Sequence, residues 1–222
     1  EQGPLLEANH VRIGAVTGVQ GISWQEVTVV GQSNHAGTTP MSLRHDPTYV
    51  AAEIAVFLRQ LSARFGKHQV CTVGKVDVFP NLINVVAARV VLTLDVRNTD
   101  EKLLQQAEQE IAKFLEEIAL AEGVKISTKQ LARFEPVEFD PRVIDIIESI
   151  AKQHSNTVQR MPSGAGHDAQ MLARVCPSAM IFVPSVNGIS HNPAEHTDTD
   201  DLVAGANILL HTMLTLCATE IV

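Results

Sequence analysis

The order of hydrophobic patterns between residues 22 and 133 restricts the fold of this chain more than any other feature of its sequence. Residues 23–30 (SWQEVTVV) alternate between apolar and polar side chains, which is typical of a half-buried strand. Further segments with helical or strand spacing are bounded by Gly66, the turn PNLIN, Thr99-Asp100 and Gly123. They predict strand, helix, strand, strand, helix and strand at residues 23–30, 46–65, 70–79, 85–96, 100–121 and 124–131. This is the split βαβ order of ferredoxin-like folds, so residues 22–133 are predicted to form one α/β sandwich.

The flanking segments have the pattern of a second α/β layer. Residues 140–154 and 200–218 have the apolar spacing of helices, and the segment SAMIFVP (178–184) has that of a strand. We expect residues 1–21 and 134–222 to form one α/β domain whose first part is nearly absent, with residues 22–133 inserted into it. A single continuous domain is the alternative on length alone. The exposed edges of the inserted sheet can pair with a second copy, which predicts a homodimer.

Charge, hydropathy and cysteine content exclude several classes of partner. The net charge is −8 and the pI is near 5.5, so we expect no nucleic-acid partner and no anionic membrane partner. Charged residues interrupt the apolar stretches short of the roughly 20 residues that a membrane span needs, and EQGPLLEANH has no secretory pattern. Cys71, Cys176 and Cys217 are sparse and have apolar neighbours, so we expect free thiols in the core. Together these features predict a cytoplasmic protein.

Three polar loops place a histidine among glycines and other small residues: GQSNHAGTTPM, PSGAGHDAQ and NGISHNPAEHT. Loops at strand ends often carry binding and catalytic residues, although a loop histidine is more commonly just solvated. His191 in the third loop has the properties of a metal ligand, and Glu195 is near enough in sequence to orient its ring. Zinc needs three or four ligands, and the chain contains no HExxH, CxxC or HxH pattern. The sequence patterns therefore predict that His191 is a metal ligand, but they do not supply the other ligands of a complete metal site.

Arg97, in the segment LDVRNTD at the end of a predicted strand, has two candidate roles. Its planar guanidinium can hold a substrate carboxylate through two parallel hydrogen bonds. The more common alternative is a surface ion pair with Asp95 or Asp100. Asn84, after the turn PNLI, either hydrogen-bonds a ligand or shapes the turn.

Taken together, GQSNHAGTTPM, PNLINVV, DVRN, SGAGHDAQ and GISHNPAE resemble the amidohydrolase branch of the M20 metallopeptidase family, in which they occur in the same order. This branch contains N-carbamoyl-L-amino acid hydrolases, β-ureidopropionases and allantoate amidohydrolases, and the resemblance covers essentially the whole chain. The stretch GVQGISWQEVTVVGQSNHAGTTPM is more similar to the L-carbamoylases. The resemblance implies an α/β catalytic domain that binds two metal ions, interrupted by a ferredoxin-like lid and dimerisation domain.

The resemblance also implies a role for each residue that matches a family motif. His191 is implied to bind metal, and His35 to reach the active site of the neighbouring subunit and stabilise the tetrahedral intermediate. The other matching residues are implied to contact substrate: Gln2, Asn84, Arg97, Gly164, Ala165, Gly166 and His167. We expect the two histidines of the catalytic part, His167 and His191, to share one cleft. The three lid residues, His35, Asn84 and Arg97, are expected to cluster.

The implied reaction is hydrolysis of the ureido C–N bond of an N-carbamoyl-L-amino acid, which releases the amino acid, carbon dioxide and ammonia. Two divalent ions (Zn²⁺, Mn²⁺, Co²⁺ or Ni²⁺) are implied to activate the attacking water. The family's His-Ile-Glu-Gln-Gly motif is present only from its Glu onward, and the other metal ligands are missing, so we expect this chain alone to be inactive. One alternative is an allantoate amidohydrolase, since allantoate also carries a ureido group and a carboxylate. Another is a non-catalytic module for dimerisation and substrate docking, while an aminoacylase or dipeptidase is disfavoured.

Overall fold

The computed structural model describes residues 3–218, which form two compact units. The continuous unit runs from Gly21 to Glu135, and the split unit contains the residues up to Gln20 and from Pro136 onward. The sequence patterns place these boundaries at residues 22 and 133. Each unit has a hydrophobic core of its own.

Strands and helices alternate along the chain in a mixed α/β pattern. The strands are β1 (Ile13–Val19), β2 (Gly21–Val30), β3 (Asn34–His35), β4 (Val70–Phe79), β5 (Val85–Val86), β6 (Arg89–Asn98), β7 (Lys125–Phe134), β8 (Val137–Glu138), β9 (Val158–Ser163) and β10 (Met180–Phe182). The α-helices are α1 (Leu5–Ala8), α2 (Pro47–Phe65), α3 (Glu101–Glu122), α4 (Pro141–Gln153), α5 (Ala169–Leu172) and α6 (Thr199–Ala218). Short 3-10 helices lie at Met41–Leu43 and Val186–Gly188.

In the continuous unit, the long strands form one antiparallel sheet in the order β4-β6-β2-β7. This strand order is the ferredoxin-like one, so the predicted order of elements is confirmed. The helices α2 and α3 share a core with one face of the sheet, where alternate side chains of β6 are buried: Val90, Leu92, Leu94 and Val96. Phe57 of α2 stacks on Phe114 of α3, with 4.1 Å between the ring centroids.

The predicted strand at residues 85–96 is wrong in one respect, because the chain divides it. The short strand β5 pairs with β3 in a separate two-stranded sheet. The N–H of Ala88 donates to the carbonyl of Phe79 at 2.8 Å, and pairing with the main sheet begins at the next residue, Arg89. An apolar run that looks continuous in sequence therefore contains a change of partner strand.

The ends of α2 and α3 are set by the residues that the sequence indicates. Asp46 and Asp100 precede the two helices, and each carboxylate accepts hydrogen bonds from two backbone N–H groups of the first turn. Gly66 ends α2, and Gly123 ends α3 with a φ of +62°, a left-handed conformation that favours glycine. Capping therefore gives both helices nearly their predicted lengths.

Replacement of Asp100 by alanine is expected to lower the free energy of unfolding by about 1 kcal/mol, because two N–H groups of the first turn of α3 lose their acceptor. Urea unfolding of the two proteins measures the difference. The matched control is Glu116→Ala on the exposed side of α3, where no cap is lost. Equal stability of Asp100→Ala and the unmodified chain would contradict the capping role.

The split unit has a central strand, β1, that is absent from the sequence-based prediction. This strand pairs in parallel with β9 along one edge and antiparallel with β10 and β8 along the other. All but one of its residues are buried, so it lacks the alternation of a half-buried strand. The parallel partner β9 (VQRMPS) is also absent from the prediction, whereas α4, β10 and α6 lie within the predicted segments.

The last helix, α6, carries apolar side chains on opposite sides. Ala204 and Ile208 are buried in the core of the split unit. On the other side, six large apolar side chains are each about half exposed: Leu202, Val203, Leu209, Leu210, Met213 and Leu214. Of the helices that the structure describes, α6 alone is long and apolar enough to cross a membrane by length and composition. Only 17% of its most apolar 18-residue stretch is buried. The expectation that every apolar stretch is too short for a span is therefore wrong for this helix.

The cysteines are free, as the sequence predicts, but two of them lie outside the core. Cys71 is half-buried, whereas Cys176 and Cys217 are exposed. The expectation of three core cysteines is wrong for the latter two. Apolar neighbours in sequence do not bury a side chain that follows a short helix, as Cys176 does after α5, or that lies on the outer side of α6.

Candidate active site

His35 is the last residue of β3, and the backbone that follows it holds its imidazole. Its Nδ1 accepts hydrogen bonds from the N–H groups of Gly37 and Thr38, at 3.1 and 3.2 Å. A ring nitrogen that accepts a hydrogen bond carries no proton, so the neutral imidazole has its proton on Nε2. The side chain is exposed. The loop therefore presents Nε2–H as a hydrogen-bond donor.

The same loop is fixed by Arg44, a residue that the sequence patterns did not single out. Its Nη2 donates to the carbonyl of Ala36 at 2.6 Å, and its Nε donates to the carbonyl of Thr39 at 3.1 Å. The hydroxyl of Thr39 donates to the carbonyl of His35 at 2.8 Å. These bonds hold the backbone on both sides of the two donors that fix the His35 tautomer.

Asn84 lies next to this loop. The N–H of Ala36 donates to the carbonyl of Asn84 at 2.9 Å, and His35 is paired with Val85 across the β3–β5 ladder. Asn84 is exposed. The structure therefore brings the backbones of His35 and Asn84 together, as the sequence-based hypothesis requires.

Arg97 lies elsewhere, so the expectation that it clusters with His35 and Asn84 is wrong. The β3–β5 hairpin is joined to the end of the sheet where Val30 pairs with Arg89, whereas Arg97 pairs with Ile22 at the opposite end. At about 3.4 Å per residue, Arg89 and Arg97 are about 27 Å apart along β6. The physical reason is that β6 continues without interruption between the two positions.

The guanidinium of Arg97 forms a bidentate ion pair with Asp95 on the sheet face away from α2 and α3. Its Nε and Nη2 donate to the two carboxylate oxygens, at 2.8 and 2.7 Å. The hydrogen bond that Arg97 donates to Asp95 is the main cause that raises the pKa of Arg97 above its usual value. The guanidinium carbon also lies 6.0 Å from the centre of the Trp24 ring. Of the alternatives for Arg97, the ion pair with Asp95 is present, and it holds the guanidinium in one orientation.

Two buried amides behind Arg97 were missed by the sequence patterns. Gln69 donates from Nε2 to the carbonyl of Arg97 at 3.1 Å, and Asn98 donates from Nδ2 to Oε1 of Gln69 at 2.8 Å. Oδ1 of Asn98 accepts from the N–H of Asp100 at 2.9 Å. Both amides are almost fully buried, so they fix the end of β6 and the start of α3 relative to each other.

In the split unit, the loop after β9 carries Gly164, Ala165, Gly166 and His167. The buried Ser163 anchors it, because its hydroxyl donates to the carbonyl of Ala165 at 2.8 Å. Nδ1 of His167 accepts from the N–H of Ala169 at 3.1 Å, which places the proton of the neutral ring on Nε2. The loop leaves the carboxyl end of the parallel pair β1–β9, and open α/β sheets bind ligands at such ends.

His191 has an unusual backbone conformation, with a φ of +54°. Its N–H donates to Oε2 of Glu195 at 3.0 Å. Glu195 therefore holds the backbone of His191, and the expectation that this carboxylate orients the ring stays a prediction. That His191 and His167 share one cleft stays a prediction, and Gln2 lies outside the described residues.

Between residues 3 and 218, no group of three or more His, Cys, Asp or Glu side chains is arranged to hold a metal ion. His191 offers one imidazole, whereas a zinc ion takes three or four protein ligands or keeps one position for water. The described residues therefore do not form a site for a metal pair by themselves.

Comparison with known proteins places nearly all of the chain in one family. Residues 1–215 match the model of Peptidase family M20/M25/M40. The chain is 40% identical to an N-carbamoyl-L-amino acid amidohydrolase of Geobacillus stearothermophilus over 99% of its own length and 54% of that protein. It is 38% identical to the allantoate amidohydrolase of Escherichia coli K12, over 94% of its own length and 51% of that protein. The chain thus spans about half the length of the curated relatives it matches.

The fold is also similar to that of solved structures. A crystal structure of an amidase of the hydantoinase/carbamoylase family from Burkholderia multivorans matches with a TM-score of 0.95 and 39% identity. The match covers 97% of this chain and 52% of the Burkholderia chain.

Proposed function

Because the chain belongs to Peptidase family M20/M25/M40, we propose that it is part of an amidohydrolase that cleaves the ureido C–N bond of an N-carbamoyl-L-amino acid. Relatives at 40% and 36% identity carry the name of this activity. The observation that carries the proposal is the histidine loop, in which the backbone fixes His35 as an exposed Nε2–H donor. Such a donor fits a reaction that develops negative charge on a carbonyl oxygen.

In this proposal His35 stabilises the tetrahedral intermediate by donating from Nε2 to the oxygen that was the ureido carbonyl. The two backbone N–H groups on Nδ1 hold the ring in one orientation, so no reorganisation is needed when the charge develops. Asn84, whose backbone adjoins the same loop, is proposed to hydrogen-bond the substrate. Gly164, Ala165, Gly166 and His167 are also proposed to contact substrate.

Arg97 is proposed to bind the substrate carboxylate. The Nε and Nη2 of Arg97 donate to the two carboxylate oxygens of Asp95, which fixes the plane of the guanidinium. Asp95 then has the role of holding the guanidinium plane in place for a second, planar contact. An arginine whose guanidinium plane is fixed can bind a substrate carboxylate through two parallel hydrogen bonds, which adds geometric specificity.

We place His35 and Arg97 of one chain in two different active sites of a homodimer. Arg89, at the end of β6 that joins the His35 hairpin, is about 27 Å from Arg97. An N-carbamoyl amino acid is far shorter than this, so one substrate can contact both His35 and Arg97 only if two chains supply them. The edge strands β4 and β7 of the continuous unit can pair with a second copy.

The activity is proposed for the complete protein, in which this chain is joined by the part that corresponds to the remaining length of the relatives. The exposed apolar side of α6 supports such a neighbour, since a helix that is apolar on all sides is normally enclosed. Family members are generally metal-dependent. His191 is proposed as one ligand, with the remaining ligands outside the described residues.

Ammonia release by the complete protein tests the proposal. Supplied with Zn²⁺, Mn²⁺, Co²⁺ or Ni²⁺ in turn, the protein is expected to hydrolyse N-carbamoyl-L-amino acids with a kcat/KM more than about tenfold above that for the D enantiomers or allantoate. Removal of the metal by a chelator should abolish ammonia release, and re-addition should restore it.

Two other outcomes would each support a different function. Hydrolysis of allantoate alone would identify an allantoate amidohydrolase, the activity for which the Escherichia coli relative is named. Tight binding of N-carbamoyl amino acids without ammonia release under any metal would indicate a non-catalytic docking module.

A further inference from the structure

Gln20 is the residue that directly follows β1, at the carboxyl end of the parallel pair β1–β9. Val19, the last residue of β1, pairs with Ser163, the last residue of β9, and the N–H of Gln20 donates to the carbonyl of Ser163 at 3.0 Å. The next residue along β9 is Gly164, the start of the candidate substrate loop. Gln20 thus lies beside that loop at the edge of the sheet where α/β folds bind ligands.

The side-chain amide of Gln20 faces this loop and is incompletely paired. Its Nε2 lies 3.8 Å from the position that a Cβ on Gly164 would occupy. Its Oε1 is buried and has no hydrogen-bond partner among the residues that the structure describes. A buried acceptor without a donor costs free energy, so its retention needs a reason, and a bound ligand that supplies the donor is one.

We propose that Gln20 is a specificity-determining residue, whose Oε1 accepts a hydrogen bond from the terminal NH₂ group of the substrate's ureido group. This inference rests on the proposed function. The amide oxygen of Gln20 can only accept a hydrogen bond, so it can bind only those parts of the substrate that carry a hydrogen-bond donor. The ureido NH₂ carries two donors, whereas the substrate carboxylate carries none. Gln20 would then distinguish a carbamoyl amino acid from an acyl amino acid, which has no such group.

The test compares two substrates that differ only at this group. N-carbamoyl and N-formyl derivatives of the same L-amino acid share the scissile C–N bond, the carbonyl and the carboxylate, but the formyl compound lacks the NH₂. In the complete enzyme, Gln20→Met, which keeps the side-chain length and removes both polar atoms, should lower kcat/KM for the carbamoyl substrate about threefold to tenfold. The value for the formyl substrate should stay unchanged.

The matched control is Gln159→Met, since Gln159 belongs to the same pair of strands, on β9, but pairs with Gly14 at the opposite end of β1. This variant should leave the ratio of the two kcat/KM values as in the unmodified enzyme. A Gln20→Met enzyme that loses activity equally on both substrates has lost a structural contact, and that result overturns the proposal. An unchanged ratio overturns it as well.

Equilibrium binding separates failure of this inference from failure of the proposed function. If the complete protein releases no ammonia from any ureido compound, the proposed function fails, and calorimetry with the same two ligands still tests Gln20. A preference for the carbamoyl ligand that disappears in Gln20→Met supports the inference. No preference in the unmodified protein, or a preference that survives in the variant, overturns it.

Discussion

Replacement of His35 by asparagine lowers the kcat of the complete enzyme about 100- to 1,000-fold, the loss expected when one oxyanion donor is removed. The change is chosen so that the loop survives it. The amide oxygen of asparagine can take the place of Nδ1 and accept from Gly37 and Thr38, the two backbone donors that hold the imidazole. Asparagine is too short to put a donor at the position of Nε2, so only the outward-facing hydrogen bond is lost.

Replacement by glutamine provides the complementary result. Its longer amide can place an N–H near the position of Nε2, so His35→Gln should recover part of the rate that His35→Asn loses. Steady-state kinetics of both variants, with thermal unfolding as a check on the fold, make the comparison. His68→Asn, at another exposed histidine of the continuous unit, is the matched control and should keep full activity.

Equal losses in His35→Asn and His35→Gln, together with a lower melting temperature, would assign His35 a structural role in its loop. A normal kcat for His35→Asn would remove it from the reaction altogether. The KM should change little in either variant, since the donor acts on charge that develops after the substrate has bound.

The helices and strands of the continuous unit could be predicted from the sequence because each is marked by residues within or next to the element itself. The strand β6 alternates between buried and partly exposed side chains, and both helices begin after an aspartate cap and end at a glycine. In the split unit β1 is buried on both faces, so the segment IGAVTGV has no period to detect. Its partner β9 contains Arg160 and Pro162 and is defined by pairing with β1 rather than by its own composition.

The sequence motifs identified individual candidate residues of the site, but they did not predict how these residues are arranged relative to one another. The loop motifs correctly put His35 and Asn84 next to each other, because β3 and β5 are short and pair directly. The position of Arg97 depends on how far β6 continues past Arg89, which follows from its register with β2 and not from a motif. A strand advances about 3.4 Å per residue. The stretch of β6 from Arg89 to Arg97 therefore separates the two positions by nearly the full length of the sheet.

Residues that act behind the site left no sequence signal. Gln69 and Asn98 are polar amides in segments that look like ordinary strand ends, yet both are buried and paired with each other. Gln20 follows an apolar run and precedes a glycine, like many surface turns. Their importance comes from burial and from hydrogen-bond partners distant in sequence, which single-chain patterns do not contain.

Replacement of Arg97 by lysine in the complete enzyme is expected to lower kcat/KM at least about tenfold, since a charge-assisted hydrogen bond contributes about 1.5–3 kcal/mol. Lysine keeps the positive charge and the ion pair with Asp95 but loses the planar pair of donors that matches a carboxylate. The free energy of unfolding should barely change, because a partly exposed ion pair contributes little to stability.

The ion pair with Asp95 provides the competing explanation for Arg97. If the pair is only structural, Arg97→Lys should keep its kinetics and show at most a small shift in melting temperature. The matched control is Arg133→Lys, because Arg133 also forms ion pairs on the continuous unit, with Glu101 and Glu108. Kinetics and thermal unfolding measured on the same preparations decide between the two explanations.

Mixing of variants then tests whether Arg97 and His35 of different chains serve one substrate. Co-expressed His35→Asn and Arg97→Ala chains form heterodimers with one site that has both residues and one that has neither. Random pairing should therefore restore about a quarter of the unmodified activity, although each variant alone is nearly inactive. If one chain supplied both residues to the same site, the mixture would be no more active than the average of the two variants. The separation of Arg97 from His35 along β6 predicts recovery.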